Sequence, residues 1–431
     1  MTDILGDLQA RDIVAQTTDE DALRRDLDAG PLTFYVGFDP TAPSLHMGNL
    51  VQLLVARRLQ LAGHNPLALV GGATGLIGDP RMSSERNLNS REVVAEWVGR
   101  IRGQVEKFLD FDGPHAARMV NNLDWTGGVS AIDFLRDIGK HFPVNRMLAK
   151  EAVSARLNSE SGISFTEFSY QILQGNDYLE LYRRYGCTLQ TGGSDQWGNL
   201  TSGTDLIRRV EQGHVHALST RLITKADGTK FGKTESGTVW LDSALTSPYA
   251  FSQFWLNAAD ADAPGYLRVF SLRPLEEIEQ LIAAFRAAPH TRLVQKALAE
   301  EVTALVHGPE ATAQAFAAAD ALFGTGDLAA LEPATLSAAV DSLPTARLPR
   351  SALTAGIPVL DAFVEAFAGS GSLKSKGEVR QAIKQGGAYI NNAKVDSDAA
   401  VIDAQRVLDA GESAVAVLRR GKKTLAALRF A

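Results

Sequence analysis

Apolar residues recur along this chain in two rhythms. Short, β-rich runs at residues 33–38, 66–71 and 118–121 alternate with stretches whose apolar spacing is near 3.6. The first such stretch runs from Leu50 through Leu53 and Leu54 to a stop at Gly63, and the next covers residues 90–109. Helical spacing continues over 130–157 and through a long run at 165–186, after which CTLQTGGSDQWGN reads as a strand entering a glycine-rich turn. Alternating strand and helix predict an α/β fold with a doubly wound, Rossmann-type parallel sheet. Ahead of it, residues 2–30 predict a short helical pair, with Thr18 and Asp21 spaced as a capping box before Ala22, Leu23 and Leu27.

From residue 247 the pattern becomes helical only, in SPYAFSQFWLN, LEEIEQLIAAFRAA and HTRLVQKALAEEVTALVHG. Residues 324–350 are low in aromatics and hold three prolines, which predicts a loosely packed connector. Beyond residue 357, Ser375 and Glu378 are spaced as a capping box for a helix with Val379, Ala382 and Ile383 inward. Lys376, Arg380 and Lys384 fall at i, i+4 and i+8, giving that helix a cationic face. AYINNAKV reads as a hairpin, and RRGKKT closes a second one, bringing Arg419, Arg420, Lys422 and Lys423 together. The expected division is a Rossmann-type domain at 1–222, a loop and helical domain at 223–323, a connector at 324–356 and a small α+β domain at 357–431.

Length changes little in this picture, since 431 residues at roughly 150 per domain give two or three domains. The single cysteine, Cys187, excludes a disulfide framework and suits a reducing compartment. No basic leader opens the chain and no segment nears 18 unbroken apolar residues, so a cytoplasmic protein with no membrane partner is expected. Charge is more informative. Between Lys374 and Ala431 eleven Lys and Arg stand against six Asp and Glu, a surplus of +5 in a chain whose net charge is −7. A basic tail on an acidic body points to a polyanion. His214 and His216 lack further ligands nearby in sequence, and no metal site is expected there.

Two stretches carry candidate chemistry. YVGFDPTAPSLHMGNL, from Tyr35 to Leu50, is a strand, a Pro-punctuated turn and a helix start. Unpaired N–H groups and the positive dipole end of such a helix favour an anion such as a phosphate chain, with His46 and Asn49 as added donors. Far downstream KFGKT, residues 230–234, sets two lysines three apart among Gly and Thr, a basic loop able to wrap a triphosphate. HMGN and KFGKT together resemble the HIGH and KMSKS signatures of class I aminoacyl-tRNA synthetases. GFDPTA, GGATGLIGDP, ISFTEFSYQILQ, GGSDQWGN and KADGTKFGKTESG narrow the resemblance to the bacterial tyrosyl-tRNA synthetase family, over nearly the whole chain.

That resemblance implies activation of L-tyrosine by ATP, with Mg2+ as counter-ion, followed by transfer to tRNA(Tyr). The nucleophile is a carboxylate already ionised at neutral pH, so orientation and phosphate stabilisation are needed rather than a general base. Thr41 and His46 would bind the outgoing pyrophosphate, and Lys230, Lys233 and Thr234 would close over the phosphates. Gly37, Asp39, Gly48, Asn49, Gly193 and Asp195 would border the nucleotide, with Asp195 at the ribose. Tyr170, Gln174 and Asp79 would surround the substrate ammonium, and Tyr35 and Asp177 would bond its phenol, with Gln190 and Gln196 as further contacts. Asn49 departs from the second histidine of the HIGH pattern: an amide still donates but cannot ionise. DPRMSSER lacks the lysine of many relatives, leaving Arg81 and Arg86 as its bases. The tail resembles the S-four RNA-binding module, with Lys376, Arg380, Lys384, Arg419 and Arg420 toward tRNA. A homodimer is implied, with ISFTEF around Phe165 at its contact. Alternatives are a tryptophan enzyme of the same architecture, separated by Tyr35 with Asp177, and a non-catalytic RNA-binding paralogue, against which the intact motifs argue.

Overall fold

The computed structural model describes residues 3–80, 88–158, 162–229, 231–234, 237–323, 326–368, 372–373, 375–421 and 424–431, with 151, 152, 233 and 234 described by backbone alone. They form two units: Met1–Asp242 with Ala259–Val294, and Ser243–Ala258 with Gln295–Ala431.

The first unit is built on a six-stranded sheet. Its strands are β1 (Val14–Thr17), β2 (Thr33–Phe38), β3 (Asn65–Val70), β4 (Arg118–Asn121), β5 (Cys187–Gly193) and β6 (His216–Thr220), in the order β1-β6-β5-β2-β3-β4. All neighbours are parallel except β1, which runs antiparallel along β6. The order reverses between β2 and β5, the place where a doubly wound sheet opens a crevice at the carboxyl ends of its strands. β2 is buried because helices cover both faces: Phe34, Tyr35, Val36 and Phe38 are all buried. The helices that matter for the site are α1 (Met47–Leu61), α2 (Arg91–Val105), α3 (Phe165–Tyr185), α4 (Trp197–Val210) and α5 (Ala263–Phe270).

The N-terminal segment differs from the expected helical pair, because β1 intervenes between helices Ile4–Ala10 and Glu20–Ala29. The cap also moves. Asp19, rather than Thr18, accepts from the Ala22 N–H at 3.0 Å, since the Thr18 hydroxyl is taken by the Ala217 N–H at 3.1 Å across the β1–β6 edge.

In the second unit, strands β9 (Thr345–Leu348), β10 (Ala388–Ile390), β11 (Ala393–Lys394), β12 (Ala414–Arg420) and β13 (Thr424–Phe430) form a sheet in the order β11-β10-β12-β13-β9. β7 (Lys233–Thr234) and β8 (Gly237–Thr238) are a separate ribbon of the first unit. Residues 326–348, read in the sequence as a connector, carry helix Pro333–Asp341 and β9, which pairs parallel with β13. Leu328, Leu331, Leu336 and Val340 are buried with Ala315, Leu322, Val415 and Leu425. Alanine and leucine at helical spacing make a close-packed seam there, with Tyr249 as its aromatic member. The cationic-face helix is present as Lys376–Lys384, with Ser375 Oγ accepting from the Glu378 N–H at 3.3 Å and Val379, Ala382 and Ile383 buried. Asn391 and Asn392 turn the β10–β11 hairpin at φ of 47° and 64°, left-handed values that asparagine tolerates.

Candidate active site

β2 ends at Phe38, and Pro40 and Pro43 keep the chain out of helix until His46, which caps α1. His46 Nδ1 accepts from the Gly48 N–H at 3.1 Å, and Asn49 Oδ1 accepts from the His46 N–H at 3.0 Å. With Nδ1 accepting, a neutral His46 ring carries its proton on Nε2, so it is a donor, and the amide at position 49 performs a capping task that needs no ionisation. Gly48 has no room for a side chain: a Cβ there would lie 2.9 Å from His46 Cε1 and would push the cap aside.

The strand segment that follows KFGKT sits directly on this helix start. The Met47 N–H donates to Val239 O at 3.1 Å, the Leu241 N–H to Leu45 O at 2.9 Å, and His46 and Trp240 form an antiparallel bridge. Gly232, at φ of 75°, brings its backbone so close to Met47 that an added Cβ would stand 2.9 Å from the methionine Cβ. Two stretches some 190 residues apart in sequence are thus pinned to each other by backbone. Lys230 lies outside the described residues, as do the side chains of Lys233 and Thr234, and Arg81 and Arg86.

A cavity of about 680 Å³ opens between β2, β5 and α3. Its wall includes Gly37, Asp39, Thr41, His46, Gly48 and Asn49 on one side, and Gly193, Asp195 and Gln196 on another. Tyr35, Asp79, Tyr170, Gln174, Asp177 and Gln190 also line it, as does Phe231. At the inner end Asp177 accepts from Trp125 Nε1 at 2.8 Å and from Asn122 Nδ2 at 2.9 Å. Burial pushes the Asp177 carboxyl up to about 7 against the pull of those two donors, with the charges of Asp39 and Glu180 adding to the rise. Tyr35 Oη is buried beside it with no hydrogen-bond partner among the described residues, and Gln174 Oε1 and Gln190 Oε1 are in the same condition. Burial, then the charge of Asp177, raises the Tyr35 phenol well above its ordinary range, so it is a neutral donor. Buried polar atoms left open around one cavity are what a polar ligand would satisfy.

Nearer the mouth, Asp39 accepts from Tyr170 Oη and from Thr74 Oγ1, both at 2.6 Å, and Thr74 accepts from Asn122 Nδ2 at 2.9 Å. Tyr170 and Asp39, assigned to different substrates in the sequence, therefore share one network. Asp79 accepts from Gln196 Nε2 at 2.9 Å and Asn199 Nδ2 at 3.1 Å. Behind them Lys150 Nζ donates to Gly198 O and, at 3.4 Å, to Asn199 Oδ1. Burial lowers that ammonium to about 7, opposed by the charge of Asp79. Sequence reasoning missed Asn122, Thr74, Lys150, Asn199 and Trp125. Trp125 is buried, yet its N–H serves the pocket; the only signal was that a buried indole N–H needs an acceptor.

In the second unit the cationic helix is partly neutralised: Lys376 pairs with Asp361, and Arg380 Nε with Asp398 at 2.9 Å. Lys384 is exposed. Arg419 stands over the Tyr389 ring at 4.3 Å, and Arg420 donates to Ser372 O. Lys422 and Lys423 lie outside the described residues. His216 Nε2 is 2.7 Å from Asp26 Oδ2, and the His214 ring packs edge-on at 5.0 Å; among the described residues no group of three or more His, Cys, Asp or Glu could hold a metal.

Comparison with known proteins places this geometry. Residues 27–324 match the family described as tRNA synthetases class I (W and Y). A tyrosine–tRNA ligase of Streptomyces avermitilis is 62% identical over 99% of both chains, and one of Streptomyces coelicolor is 59% identical over 100% of this chain and 99% of its own. Among solved structures, a C-terminally truncated mitochondrial tyrosyl-tRNA synthetase of Coccidioides posadasii is 28% identical with a TM-score of 0.65, covering 73% of this chain and 91% of that one.

Proposed function

The chain belongs to the class I tRNA synthetases of the tryptophan and tyrosine group, and from that premise we propose that it is a tyrosine–tRNA ligase. The tyrosine carboxylate attacks the α-phosphorus of ATP, an α-phosphoryl oxygen bond breaks, and pyrophosphate leaves. A hydroxyl at the 3′ end of tRNA(Tyr) then attacks the tyrosyl carbonyl and AMP departs.

The observation that carries the choice of tyrosine is the inner end of the cavity. A buried Tyr35 hydroxyl without a partner among the described residues stands with a carboxylate held by Trp125 and Asn122, a pairing suited to a phenolic O–H, which both donates and accepts. An indole N–H could only donate, leaving the Tyr35 hydroxyl unsatisfied. In this reading Asp79, Tyr170 and Gln174 face the ammonium, and Gln190 and Gln196 flank the amino acid. Thr41, His46, Lys230, Lys233 and Thr234 meet the phosphates, while Gly37, Asp39, Gly48, Asn49, Gly193 and Asp195 border the nucleoside. Mg2+ enters as part of the ATP complex, held by phosphates. ATP–pyrophosphate exchange over the twenty amino acids tests this; exchange with tryptophan and none with tyrosine would overturn it.

We further propose a homodimer. Ile132, Leu135, Val144 and Phe165 are large apolar side chains exposed at 70, 51, 58 and 70%, all within one stretch of the first unit. Sedimentation at micromolar concentration should give twice the mass of the chain; a monomer would refute it. No helix among the described residues is long and apolar enough to cross a membrane. We propose the cytoplasm, where tRNA and ATP meet, as the compartment. Lys376, Arg380, Lys384, Arg419 and Arg420 are proposed as contacts to tRNA phosphates.

A further inference from the structure

Between the two lysines of KFGKT stands Phe231. Its ring stacks on Phe270 at 5.2 Å with 26° between planes, and meets Tyr266 at 4.9 Å and 56°. Both partners lie on α5 and are buried. The N-cap of the same helix holds the loop a second time: Asp262 Oδ1 accepts from the Ala226 N–H at 2.7 Å.

The other end of α5 is fixed to α1. Arg58, near the C-terminus of α1, donates through Nη2 to Val269 O at 2.8 Å and Ser271 O at 2.5 Å. Arg11 adds bonds to Arg268 O and Ser271 O, both at 3.2 Å. Guanidinium groups on orphan carbonyls are a strong C-terminal cap, since charge-assisted bonds also oppose the helix dipole. His46 and Arg58 stand twelve positions apart, so α1 spans about 18 Å from its phosphate end to this cap. α1, α5 and the aromatic cluster therefore make a closed bracket. One arm ends at His46; the other ends at Phe231, one residue before the close Gly232–Met47 contact and two before Lys233.

We propose that Phe231 is a positioning residue for adenylate formation. By seating its ring on Tyr266 and Phe270 it fixes where the Lys233 backbone stands over the N-terminus of α1, and so where the lysine meets the phosphates of ATP. This rests on the reading above that Lys233 contacts ATP. A misplacement of about 1 Å in such a group costs on the order of 100-fold in rate.

The test is ATP–pyrophosphate exchange with tyrosine on the full chain, comparing wild type, Phe231→Ala, Phe231→Leu, Lys233→Ala and the Phe231→Ala/Lys233→Ala double variant. Phe231→Ala should lower kcat and raise the KM for ATP, with a combined loss of about 10- to 100-fold and the tyrosine KM within about twofold of wild type. Phe231→Leu, which keeps an apolar wedge, should restore most of the activity. In the Lys233→Ala background the Phe231→Ala change should cost almost nothing further, because there is no longer a lysine to position. Equal losses in both backgrounds, or a Phe231→Ala enzyme indistinguishable from wild type beside an impaired Lys233→Ala enzyme, would overturn the proposal. An unimpaired Lys233→Ala enzyme would instead overturn the reading of the loop. Should Phe231→Ala be insoluble, Phe231→Val provides the same comparison with a smaller deletion.

Discussion

At the scale of single residues, the proposed selectivity for tyrosine turns on how Asp177 is held. Its oxygens each accept one donor, from Trp125 and Asn122, and the rise of its carboxyl to about 7 favours the protonated form below that pH. A tyrosine phenol that donates needs the ionised form. The tyrosine KM should therefore fall as pH rises from about 6 to 8, and Asp177→Asn should flatten that dependence; an unchanged slope in the variant would remove Asp177 from the effect. The sign for stability is opposite. An acid whose folded pKa exceeds its ordinary 3.8 binds more protons when folded, so wild type should lose stability relative to Asp177→Asn as pH rises from about 4 to 7. Trp125→Phe keeps most of the buried ring and deletes one donor, for an expected loss of about 1–3 kcal/mol in tyrosine binding, read from kcat/KM for exchange. The resemblance made Tyr35 and Asp177 legible in the sequence. Trp125 and Asn122 were not, because they lie 52 and 55 positions from Asp177 and nothing in their local spacing distinguishes a pocket donor from a core residue.

At the scale of elements, periodicity served where an element buries a whole face and failed where a distant partner defines it. α1 and α3 were readable from their apolar spacing. β1 was not: four residues, none fully buried, become a strand only by pairing with β6 some 200 positions away. α3 also depends on an ion pair with no sequence signature, Arg156 Nη1 to Glu167 Oε2 at 3.0 Å, with both side chains 1% exposed. Glu167 lies one turn before Tyr170, so this pair anchors the helix that carries Tyr170, Gln174 and Asp177. Removing Arg156 alone leaves a buried carboxylate, and Arg156→Met should cost about 3–5 kcal/mol in denaturant unfolding. Replacing both partners, Arg156→Met with Glu167→Leu, should recover much of that loss; a double variant as unstable as the single one would show that packing rather than charge holds the helix end.

At the scale of the whole molecule, the seam expected at residue 324 is not where the structure divides. Helices Pro248–Leu256 and Pro309–Phe323 belong to the same unit as the C-terminal sheet, and Tyr249, Ala315, Ala318 and Leu322 share a core with Leu336, Val340, Val415 and Leu425. Ending the chain at 324 would expose that core, so a loss of tRNA charging by such a truncation would mix stability with recognition. Substituting single bases separates them. Lys384→Ala, at an exposed position, with Arg419→Ala, at a half-buried one, leaves the apolar core in place, although Arg419 gives up its cation–π contact with Tyr389, worth about 0.5–2 kcal/mol. Tyrosyl-adenylate formation should stay within about twofold of wild type, because every described residue assigned to tyrosine or ATP lies in the first unit. Affinity for tRNA(Tyr) should drop, and the plot of log affinity against log salt should become shallower by about 0.7 to 0.9 for each phosphate contact removed. A filter-binding titration at several salt concentrations reads both quantities. Unchanged affinity with an unchanged slope would take RNA binding away from these two bases, whereas a drop in affinity at constant slope would mean that they act through packing and not through phosphate.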